Sequence, residues 1–101
     1  MKFFIATCLR EYREDVSKLF TAAGIGTYST TDITGVKQGS GPNLLQEWFA
    51  AGDEQFDSVI LFSFTADKNA RYAKELIGDY NKQHQTGFPV RVFIIPVEDS
   101  I

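Results

Sequence analysis

Val90–Val97 reads VRVFIIPV, and both of its faces are apolar. Successive side chains of a strand point to opposite sides, so Val92 and Ile94 share one face and Phe93 and Ile95 the other. Lys2–Leu9 (KFFIATCL) and Phe56–Phe64 (FDSVILFSF) are near-continuous apolar runs of the same kind. A sheet wetted on one face alternates apolar with polar residues. These runs do not alternate, so both faces are expected to be covered. Only two long helical stretches are present, and two helices cover about one face of a small sheet. Self-association is therefore expected to cover the other.

Between these runs the chain reads as follows. Arg10–Asp15 opens a helix with three acids near its amino end, where the macrodipole favours them. Val16, Leu19, Phe20 and Ala23 follow at helical spacing as one buried stripe, and Gly24 is a natural stop. Thr27–Thr34 is a second strand, more polar than the others, and Gly35 closes it or places a bulge. Gln38–Pro42 is a turn. Pro42 then starts a short helix with Leu44, Leu45, Trp48 and Phe49 on one side and Gly52 at its end. Thr65 or Asp67 caps a second long helix running to about Gln83. Ala66, Ala70, Ala73, Leu76, Ile77 and Tyr80 supply its inward stripe. Gln85–Pro89 is a loop.

The order β-α-β, β-α-β is the split, ferredoxin-like arrangement of an α+β fold. It implies one domain over residues 1–101, with a four-stranded antiparallel sheet and both helices on one face. The bare face would exceed the few hundred Å2 of apolar patch that soluble monomers usually expose.

Composition narrows the function. The chain has 101 residues, is 44% hydrophobic and carries a net charge of −3. That is a folded composition with no basic stripe, so no nucleic-acid binding is expected. No apolar run reaches the roughly 18 residues of a membrane span, so no membrane insertion is expected. The amino terminus enters a strand after one charge and lacks the pattern of a signal peptide. With a single cysteine there is no internal disulfide. A cytoplasmic location is expected.

Groups for catalysis are sparse. His84 sits by a loop at a helix end, where a cation near the carboxyl terminus or a plain surface residue is the simple reading. Cys8 lies inside the first strand and reads as a small buried hydrophobe. Glu14-Asp15 and Asp53-Glu54 read as solvated or helix-end charges. No Cys/His/Asp spacing matches a metal scheme, and Gly39-Ser40-Gly41 is too short for a phosphate-cradling loop. The chain is not expected to be an enzyme or to hold a metal.

Asp15-Val16, Ala23-Gly24-Ile25 and Thr31-Asp32-Ile33-Thr34-Gly35 stand in order and at unbroken spacing. Together they resemble the start of the PII signal-transduction family over about Met1–Val36, and the element order agrees along the whole chain. The resemblance implies a homotrimer of ferredoxin-like subunits with inward-facing sheets. It also implies a cytoplasmic relay that binds a small ligand, an adenine nucleotide in the family, between subunits. A long loop after the second strand then regulates a partner such as a membrane transporter or a metabolic enzyme. Here that segment is Lys37–Gln55, shorter than the family's and without the tyrosine that some relatives modify. After the second helix the chain keeps Gln85-Thr86-Gly87 but continues as Phe88-Pro89-Val90-Arg91 in place of the family's glycines and lysine.

The resemblance thus implies a ligand cleft of Ser29, Gly35, Lys37, Gln38, Thr86, Gly87 and Arg91. Gly35 would allow close backbone approach, and Lys37 and Arg91 would bring charge to an anion. Arg91 also reads as a strand residue paired with an acid across the sheet. Trp48 and Phe49, with Leu44 and Leu45, either cap the protein's own core or form a docking surface for a partner. The carboxyl-terminal half, with Trp48 before the third strand and Phe88-Pro89-Val90 leading to Ile94-Ile95-Pro96-Val97-Glu98, is similar to the CutA family. That resemblance implies, as an alternative, a trimer linked to divalent-metal tolerance. A third reading, resting on Trp48, Phe49, Leu44 and Leu45 as a docking surface, is a non-enzymatic interaction module.

Overall fold

A computed structural model describes residues 1–36, 55–85 and 87–101. Strand β1 spans Lys2–Leu9, β2 Ser29–Val36, β3 Gln55–Thr65 and β4 Arg91–Pro96. Helix α1 spans Arg13–Ala22, after a 3-10 turn at Arg10–Tyr12, and α2 spans Asp67–Gln83. The strands form one antiparallel sheet in the order β2-β3-β1-β4. Four antiparallel strands with two helices make an α+β architecture consistent with the ferredoxin-like arrangement. The segment 37–54, with its expected turn and short helix, lies outside the described residues.

Register divides the side chains between the two faces. Phe4, Ala6 and Cys8 of β1 stand opposite Ser63, Leu61 and Val59 of β3. All except Ser63 join Val16, Phe20, Ala70, Ala73 and Ile77 of the helices in one buried cluster. Both helices therefore cover this face. Phe4 and Phe20 anchor it, with ring centroids 5.3 Å apart. Ser63 places a hydroxyl in this layer and donates it to the Thr27 carbonyl at 2.7 Å, so the buried polar group has its partner.

The connection from α1 to β2 is closed by backbone geometry. Gly24 has φ +86°, Ile25 N–H donates to the Phe20 carbonyl at 2.9 Å, and Gly24 N–H donates to Thr21 at 3.0 Å. This is a Schellman ending, and Ile25 and Phe20 supply its apolar contact within the core. A Cβ at Gly24 would meet the Asn69 side-chain nitrogen at 3.0 Å, which itself donates to the Gly24 carbonyl.

Three local expectations are corrected. Neither Thr65 nor Asp67 caps α2: the N-cap is Ala66, exposed and without a side-chain bond, while Asp67 pairs with Arg71 one turn on at 3.3 Å. Apolar contact rather than a polar cap sets this start, since Ala70 and Ala73 are fully buried. Gly35 neither ends β2 nor makes a bulge, because it pairs in regular register with Phe56 and Val36 continues the ladder with Gln55. The helix expected from Arg10 begins instead with the 3-10 turn.

Candidate functional site

The face of the sheet turned away from the helices carries Phe3, Ile5, Thr7 and Leu9 of β1 and Ser58, Ile60, Phe62 and Phe64 of β3. It also carries Arg91, Phe93 and Ile95 of β4 and Ser29, Thr31, Ile33 and Gly35 of β2. They fall into rows that cross the strands. Ser29, Phe62, Ile5 and Phe93 make one row, and Thr31, Ile60, Thr7 and Arg91 the next. Phe3 stacks at a tilt on Phe64 and Phe62, with centroids 4.9 and 5.7 Å apart. Phe64 is 59% exposed and Ile95 46%.

This face therefore has an aromatic end and a polar end. At the polar end Thr7 and Ser58 are each 2% exposed, and Arg91 stands directly across from Thr7 on the edge strand. The Nε of Arg91 is out of contact with solvent. So is the Ser58 hydroxyl, which has no hydrogen-bond partner among the described residues. A buried hydroxyl in that state costs about 1–3 kcal/mol. Sequence reading did not single out Thr7 or Ser58, because one small polar residue inside an apolar run looks like noise until register places it.

The start of β4 is set by α2. Asn81 donates its amide to the Val90 carbonyl at 2.9 Å and accepts the Val90 N–H at 2.9 Å. This two-way clamp fixes the residue before Arg91. Gly87, in the loop ahead of it, has φ +87°, a conformation that favours glycine, so it has a backbone role irrespective of any ligand.

The expected ligand residues are not gathered within one copy. Ser29 and Gly35 lie on β2, an edge strand, and are separated by about 20 Å of extended chain. Arg91 lies on β4, the opposite edge, about 14 Å away across three strand spacings. Gly87 is next to β4. Lys37, Gln38, Trp48, Phe49 and Thr86 lie outside the described residues.

Two other groupings surround the sheet. Arg10, at the end of β1, reaches Asp32 of β2 at 3.7 Å and Asp57 of β3 at 3.8 Å. All three are exposed, so this cluster ties strand ends together weakly. On the helical side the Tyr80 hydroxyl donates to Asp15 at 2.8 Å, and the His84 ring stacks on Tyr80 at 4.1 Å. Partial burial, with the Asp15 carboxylate second, pushes the Tyr80 hydroxyl pKa above its ordinary value. Burial pushes the Cys8 thiol up to about 12, so it is protonated at neutral pH and a poor nucleophile.

Among the described residues no three His, Cys, Asp or Glu side chains converge as a metal group, and no helix is long and apolar enough to cross a membrane. No protein-family model matches the chain, and no curated protein matches it.

Proposed function

We propose that this chain is a PII-like regulatory protein that works as a homotrimer. It binds a small anionic ligand, an adenine nucleotide among the candidates, in clefts between copies. The 37–55 segment relays the bound state to a partner such as a transporter or metabolic enzyme. The observation that carries this reading is the open sheet face. It is rich in Phe and Ile, and neither described helix packs against it. The candidate ligand residues on its two edges, Ser29 and Gly35 on one and Arg91 on the other, stay apart within one copy. Setting the β2 edge of one copy against the β4 edge of the next would bring them together, and burying the aromatic end would supply the driving force. The spacing of Asp15-Val16, Ala23-Gly24-Ile25 and Thr31–Gly35 supports the same reading.

Light scattering at micromolar concentration tests the assembly, with three copies as the expected mass. Calorimetry of the assembled protein with ATP, ADP and AMP tests the ligand, and saturable heat is expected. A stable single-copy species overturns the reading as a whole. A trimer that gives no heat with any nucleotide overturns its ligand.

A further inference from the structure

We draw no further inference here: the strongest candidate, the apolar patch where Phe3 stacks on Phe62 and Phe64 beside Ile95 on the sheet face turned away from the helices, carries nothing beyond the proposed assembly, because nothing in the structure shows what covers it.

Discussion

The two faces of this sheet are built from the same strands and do different work. On the helical face Phe4, Ala6, Cys8, Val59 and Leu61 are closed in, and Ser63, the buried polar residue described there, has its partner. On the other face Phe64 and Ile95 remain about half exposed, and the buried polar groups lie towards one end. Alternation along a strand puts neighbours such as Phe3 and Phe4 into opposite environments, so similar residues contribute differently according to parity alone. The finished face accounts for stability. The other is the face on which the proposed assembly would draw.

The sharpest way to break that contrast is to truncate one phenylalanine on each face. Phe4→Ala opens a cavity beneath Phe20 and is expected to cost about 3–5 kcal/mol, read as a large fall in melting temperature. Phe64→Ala, at a site 59% exposed, is expected to change the stability of the folded chain by less than about 0.5 kcal/mol. It should instead weaken self-association measured by sedimentation. Equal thermal losses from both variants would mean that the two faces are not different in kind.

Alkaline pH probes the finished face from inside. The Cys8 thiol, 1% exposed, has its pKa raised from 9.0 to about 12 by burial. A group whose folded pKa lies above its unfolded value keeps its proton longer in the native state. Its contribution is therefore complete below pH 9 and is lost as pH rises towards 12. Three pH units correspond to at most about 4 kcal/mol. The raised Tyr80 acts in the same direction. Denaturant midpoints are expected to fall steadily above pH 9, and Cys8→Ala is expected to flatten part of that slope. Thiol alkylation should be blocked at pH 8 until the protein unfolds. Fast labelling of the native state would show that the helical face is open.

How much of this was legible beforehand differs between the two faces. The span of β1 and the end of α2 at Gln83 follow from apolar runs and helical spacing, because burial dictates residue type directly. The start of α2 did not follow, since a polar residue such as Thr65 near a helix start looks like a cap whether or not it bonds. Ser29, Gly35 and Arg91 are legible only as single positions. That they occupy opposite edges depends on strand order, which pattern does not encode. The closeness of Thr7 and Ser58 is hidden for a related reason: they are diagonal neighbours across strands, and nothing in KFFIATCL or FDSVILFSF marks them as such.

Smaller effects sharpen the contrast where α2 hands over to β4. Asn81→Leu removes both bonds to Val90, a residue only 3% exposed, and leaves its N–H and carbonyl without these partners. The expected loss is about 1–3 kcal/mol. Because this clamp sets the start of β4, an edge strand of the open face, the variant is also expected to weaken self-association, as a single structural lesion felt on both faces. If the variant melts lower but keeps full self-association, the clamp serves stability alone.

Tyr80→Phe is the mildest test and the most selective. It deletes the hydroxyl that donates to Asp15 but keeps the ring stacked on His84 and packed near Tyr12. Asp15 is exposed, so water replaces the lost donor and the expected cost is about 0.5–1.5 kcal/mol. The bond joins α1 to α2 on the outer side of the helical layer, far from the open face. A small loss of stability with unchanged self-association is therefore the expected pattern. A change in association instead would show that the helix pair communicates with the far side of the sheet, and that the division between a structural and a functional face is incomplete.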